Sequence, residues 1–144
     1  MTVAKTITQG LALGALVLFV GSVPVTAQTP SHQPTTPSHQ ATLLLKSEIQ
    51  GAYGKELRVF RTVYPPGAIN PKHYHTSHVV FYILEGSGIW QEEDQPPVTL
   101  KAGDTLLVKP GTVHAHWNPS TSVPLVFTEF VIVDQGQRST VKTP

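Results

Sequence analysis

Gly67-Ala-Ile-Asn-Pro-Lys-His73-Tyr-His75 and, further along, Gly103-Asp104 followed by Pro110-Gly111-Thr-Val-His114-Ala-His116-Trp-Asn118 are the stretches from which the fold can be read. Each pairs a turn signal with histidines on a strand-like segment. His73 and His75 stand two residues apart, so on a strand both side chains point to one face. Two imidazoles so placed can reach one cation at about 2.0–2.1 Å. His114 follows a Pro-Gly turn at the start of another β segment. As a third ligand from a neighbouring strand it would leave coordination positions open, as catalytic metal sites require.

Outward from these stretches the signals are all β. Thr42 to Ile49, Leu57 to Tyr64, Val79 to Ile89, Thr105 to Lys109 and Leu125 to Val133 are runs rich in Val, Leu, Ile, Phe and Thr. Between them lie Gly51-Ala-Tyr-Gly54, Pro65-Pro66-Gly67, Gly86-Ser-Gly88, Pro96-Pro97, Gly103-Asp104, Pro110-Gly111 and Pro119 to Pro124. Short strands bounded by such clusters predict an all-β sandwich or barrel. No later stretch carries a 3.6-residue apolar period of helical length. Leu125 to Val133 is long and mostly apolar, which places it centrally or packed on both faces, with a dimer contact as one use of its outer face.

The first part of the 144-residue chain reads differently. Lys5, the apolar run Leu11 to Val20 and the small residues at Val25-Thr26-Ala27 form the pattern of a secretory signal peptide over 1–27, cleaved before Gln28. The run is short for a permanent anchor, which needs roughly 20 apolar residues. Residues 28–41 are rich in Pro, Ser, Thr and Gln and read as a disordered linker with a near repeat containing His32 and His39. The barrel is expected over 42–144. The expected location is therefore outside the cytoplasm, periplasmic or secreted. There is no cysteine, which excludes both disulfide stapling and a thiol-linked lipid anchor. Without Lys5 the basic and acidic residues balance at nine each. With no basic run, nucleic acid and anionic membrane surfaces are not expected partners.

The two stretches resemble the paired motifs of the cupin superfamily. The first family motif is Gly, five residues, His-x-His, three or four residues, Glu, six residues, Gly; Gly67, His73, His75 and Gly86 match it. The second is Gly, five residues, Pro-x-Gly, two residues, His, three residues, Asn. Gly103, Pro110, Gly111, His114 and Asn118 match, with a small shift around Lys109-Pro110. The resemblance covers about Leu57 to Val133, with motifs at 67–86 and 103–118 and a short intermotif segment, Ser87 to Ala102. It implies a single-domain jelly-roll barrel of the small bacterial kind, one divalent metal ion held by His73, His75 and His114, and pairing into a homodimer through outer strands.

One position departs from the pattern. The family Glu ligand falls on Val79, which has no donor atom. Relatives acting on diketones, thiols or gentisate-like rings use three His and ferrous iron, so the loss does not abolish metal binding. It leaves a site of net charge near +2, suited to anionic chelating molecules. Three other residues are candidates to stand in for the missing Glu. His78, beside Val79, points the other way by strand alternation unless a bulge intervenes. His116 shares parity with His114 and is a candidate fourth ligand, donor behind the ligands or general base; the bland reading is a pocket-rim histidine. Glu129 lies in the apolar last strand; if buried it needs a partner such as Arg58 or Arg61, and if inward it is a candidate for the missing carboxylate.

The remaining features read as support. Gly67, Gly86, Gly103 and Gly111 sit where tight turns need φ > 0. Asp104 is expected to cap a turn, and Asn118 to fix the loop after the second motif. Phe81 and Ile83 share the inward parity of Val79, and Tyr82 and Leu84 are expected outside. Trp90 and Trp117 wall the pocket, fill the core or meet a second subunit. Three functional readings follow: an iron-dependent, dioxygenase-like enzyme on a small chelating molecule; a non-catalytic binding or sensing barrel; and a metal-dependent isomerase or lyase. Iron fits the first, zinc the second, and manganese or nickel would also accept imidazoles. Fold does not choose among them.

Overall fold

Antiparallel pairing accounts for every strand of the computed structural model, which describes residues 36–143. The leader expected over 1–27 and most of the linker expected over 28–41 lie outside these residues. The strands are β1 Gln40–Glu48, β2 Lys55–Tyr64, β3 Ile69–His75, β4 Val79–Glu85, β5 Ser87–Glu92, β6 Val98–Lys101, β7 Thr105–Val108, β8 His114–Trp117, β9 Leu125–Asp134 and β10 Thr140–Lys142. They form two five-stranded sheets, ordered β1-β2-β9-β4-β7 and β10-β3-β8-β5-β6. The two sheets make the expected all-β jelly roll.

The chain builds this barrel by alternation. In β4 the inward residues Val79, Phe81 and Ile83 are buried while Tyr82 and Leu84 are exposed, as parity predicts. In β9 Leu125, Phe127, Val131 and Val133 face the core, and the strand occupies the centre of its sheet. Tyr64, Trp90 and Val108 complete the same core cluster.

Two strand expectations change. The run Val79 to Ile89 is two strands in different sheets, because Gly86 breaks it. Gly86 has φ 74°, and a methyl group there would run into the Pro124 carbonyl oxygen. Only glycine lets the chain cross from one sheet to the other at this corner. The strands β6 and β10, which were not read from the sequence, are short edge strands. They lack both the apolar run that marks the equally short β7, Thr-Leu-Leu-Val, and the histidine motif that marks β8.

The turn chemistry agrees with expectation. Gly67, Gly86, Gly103 and Gly111 all have positive φ. Asp104 Oδ2 accepts the Lys101 N–H at 2.8 Å. The buried Asn118 ties three chain segments together. Its Nδ2 donates to the carbonyls of Tyr64, Pro65 and Val123, and its Oδ1 accepts the Ser120 N–H.

Candidate metal centre

The barrel brings the histidines of both motifs to one sheet. β3 carries His73 and His75, and its neighbour β8 carries His114 and His116. The register places His73 directly opposite His114 and Asn70 opposite His116. All four histidines are buried. Ring centroids are 4.2 Å apart for His73 and His114, 5.2 Å for His73 and His75, and 5.1 Å for His75 and His114.

Three of these rings share a bonding pattern. His73 Nδ1 lies 2.8 Å from the Pro71 carbonyl oxygen, His114 Nδ1 2.8 Å from that of Thr112, and His75 Nδ1 3.2 Å from that of Ser139. A carbonyl only accepts, so each Nδ1 carries the proton and each Nε2 keeps a bare lone pair. Those three Nε2 atoms are buried and have no hydrogen-bond partner among the described residues. Leaving a buried acceptor unpaired costs roughly 1–3 kcal/mol, and here three occur side by side. In donor chemistry, though not yet in spacing, such a set is suited to a divalent cation: neutral imidazoles with fixed tautomers, oriented by backbone carbonyls behind them.

Electrostatics keeps the rings in that form. Burial, with His73 beside it, depresses His75 to about 4. Burial depresses His114 to about 3 against the opposing Thr112 carbonyl bond, and burial also lowers His73. Neutral imidazole is the state that binds metal.

His116 differs. Its nitrogen, with those of His73 and His114, belongs to a group lying within 4.8 Å of one another. His75 is outside that group. His116 Nε2 has a neighbour, the Asn70 amide, at 3.4 Å. Its ring is stacked against Trp90 at 4.9 Å and Tyr64 at 5.3 Å. Burial, then His73 and His114, hold its pKa well below the ordinary value. His78 is exposed and lines no part of this site.

Beside the histidines lies a cavity of about 270 Å³. His73, His75, His116 and Asn70 line it from one sheet, and Phe60, Tyr64, Phe81 and Glu129 from the other. Ser139, Thr140 and Lys142 of the C-terminal segment and His39 and Ala41 at the start of β1 complete it. His39 stacks on Tyr64 with centroids 4.7 Å apart. Trp90 stacks on His114 at 4.1 Å, so it is a wall of the site as well as core.

Glu129 turns inward, but neither Arg58 nor Arg61 is its partner. Arg58 is committed to Glu56 and Arg61 is exposed. The Thr62 hydroxyl donates to Glu129 Oε1 at 2.7 Å. Burial pushes the Glu129 carboxyl above the usual range despite that bond. Tyr64 was not read as a site residue, although its inward parity with Phe60 and Thr62 was a usable signal. The roles of Ser139, Thr140 and Lys142 had none, since nothing local marks β10 as part of the site.

Comparison with known proteins gives the family and bears out the fold. The Cupin domain family model matches residues 60–133. The chain belongs to the cupin family. Among solved structures, this cupin is similar to a cupin-like protein from Thermotoga maritima, with TM-score 0.57 and 25% identity, covering 73% of this chain and 75% of that one. The DMSP lyase DddQ from Ruegeria pomeroyi shares the fold with TM-score 0.60 and 23% identity, covering 73% of this chain and 51% of the lyase. In sequence, 53 residues are 32% identical to a gentisate 1,2-dioxygenase from a Streptomyces species. That match takes in 37% of this chain and only 15% of the dioxygenase.

Proposed function

We propose that this cupin is an exported protein that holds one divalent metal ion on His73, His75 and His114 and acts, in the manner of a dioxygenase, on a small chelating molecule. The observation that carries the reading is the set of three buried, unpartnered Nε2 atoms, each on a ring whose Nδ1–H is held by a backbone carbonyl. The loss of the family carboxylate at Val79 leaves an all-imidazole set, and the local similarity to gentisate 1,2-dioxygenase supports the oxygenase among the alternatives. When bound, a divalent ion would polarise the oxygens of a chelating molecule and, as iron, would supply a redox centre for dioxygen chemistry.

The protein's own residues do the rest. The carbonyls of Pro71, Thr112 and Ser139 orient the imidazoles. Trp90, Phe81 and Phe127 keep the back of the site apolar. Lys142 stands among the cavity-lining residues as a cation for an anionic group. Export rests on the leader-like residues 1–27 alone.

The test is metal content of the untagged protein, as isolated and after anaerobic loading with iron. We expect about one ion per chain, lost in His75→Ala and in His114→Ala while circular dichroism stays that of an all-β protein. Dioxygen uptake would then be followed with gentisate and other small chelating acids. Metal without turnover would leave a binding barrel. No stoichiometric metal under either condition would overturn the reading.

A further inference from the structure

Glu129 sits where chain logic does not call for a charge. On the inner face of its sheet, direct cross-strand neighbours form the row Leu106, Phe81, Glu129, Phe60, Leu43. Along β9 its same-face neighbours are Phe127 and Val131, both buried. Glu129 is half-buried, and a carboxyl in the middle of an apolar row is costly to desolvate even in part. The Thr62 hydroxyl at 2.7 Å offsets only part of that cost. Among the described residues that line the cavity, Glu129 is the one carboxylate.

Its position relative to the histidines is equally specific. They stand on β3 and β8 of one sheet; Glu129 stands on β9 of the other, and both line the same cavity. No oxygen of Glu129 belongs with the histidine nitrogens grouped within 4.8 Å of one another. A molecule in the cavity therefore meets imidazoles on one wall and the carboxyl on the facing one. With a volume of about 270 Å³ the space suits a compact compound.

Resting on the metal reading above, we propose that Glu129 is a recognition residue for the far end of the ligand. It accepts a hydrogen bond from a hydroxyl of a small molecule whose chelating oxygens lie at the histidine end. The ligand class is thus a compact chelator with a second, distal hydroxyl. Glu129 is not a metal ligand in this proposal.

A matched pair of probes tests it. Cobalt(II) is loaded into the untagged protein, and its visible absorption reports chelation during titration with benzohydroxamic acid and 4-hydroxybenzohydroxamic acid. The two differ by one distal hydroxyl. A hydrogen bond to an ionic acceptor predicts that the wild type prefers the hydroxylated probe by about tenfold or more. Glu129→Leu should abolish the preference and keep both the cobalt stoichiometry and the affinity for benzohydroxamic acid. Glu129→Gln, which keeps shape and an acceptor for the Thr62 hydroxyl, should fold even if the leucine variant does not and should show a preference reduced several-fold. Equal affinity for both probes in the wild type, or a full preference surviving in Glu129→Gln, would overturn the inference while leaving the metal centre intact. Cobalt lost in Glu129→Gln would overturn it too, since the carboxylate would then be a ligand. No cobalt uptake by the wild type would instead defeat the metal reading, and this inference with it.

Discussion

His116 decides how the ligand set is drawn. By nitrogen spacing it joins His73 and His114, and by bonding pattern His75 does. The two criteria differ because His116 has an amide donor at its Nε2 and aromatic rings on both sides, whereas the His75 Nε2 has nothing to bond among the described residues. A lone pair already facing a donor is a poorer candidate than a bare one. We therefore expect His116→Gln to retain about one equivalent of metal, with affinity within roughly tenfold of wild type, and His75→Gln to lose affinity by roughly 100-fold or more. Competition with a chromophoric chelator would read both. The reverse order would reassign the site to His73, His114 and His116.

At the scale of single elements, Asn118 locks the end of β8 to the end of β2 and to the loop before β9. Replacing it by Ala strands several carbonyls in a buried setting. Asn118→Ala should lower unfolding free energy by about 2–4 kcal/mol in urea melts. Strand β2 carries a second polar device. Burial alone would raise the Glu56 carboxyl, but hydrogen bonds from Arg58 and Lys46 outweigh it and hold the pKa below the ordinary value. A depressed folded-state pKa means that the unfolded chain binds the proton more readily in acid. This contribution is therefore present above about pH 4.5, the unfolded value, and is lost as pH falls through the folded one. Thermal melts of Glu56→Gln should show a shallower loss of stability below that pH than wild type; parallel profiles would deny Glu56 the role.

Across the whole molecule one surface stands out. The outer face of the β1-β2-β9-β4-β7 sheet carries a row of direct cross-strand neighbours, Leu45, Val59, Phe130, Val80 and Leu107. Four of them are exposed large apolar residues, and Ile132 and Leu84 on the same sheet are exposed as well. A contiguous apolar stripe across a sheet marks an association surface. A homodimer would cover it by pairing the same stripe on two copies. Light scattering should give a dimer for the wild type and a monomer for Phe130→Glu, with circular dichroism unchanged. A wild-type monomer at micromolar concentration would refute the expectation.

Local features were legible in the chain before any pairing was known. Alternation of apolar residues set which side of β4 and β9 faces inward, because side-chain direction has a period of two. Glycine at the turns marked positive φ, because other residues are strained there. His73, His75 and His114 stood out by spacing and by the motif they resemble. Tertiary structure decided everything that needs two distant strands. It split Val79 to Ile89 at Gly86, where the Pro124 carbonyl leaves no room for a side chain. It also gave Glu129 to Thr62 instead of an arginine, brought Tyr64 and the β10 residues to the cavity, and set the carboxyl across the barrel from the imidazoles. Those pairings follow from β9 lying between β2 and β4, an order fixed by how the sheets close and written in no single stretch of the chain.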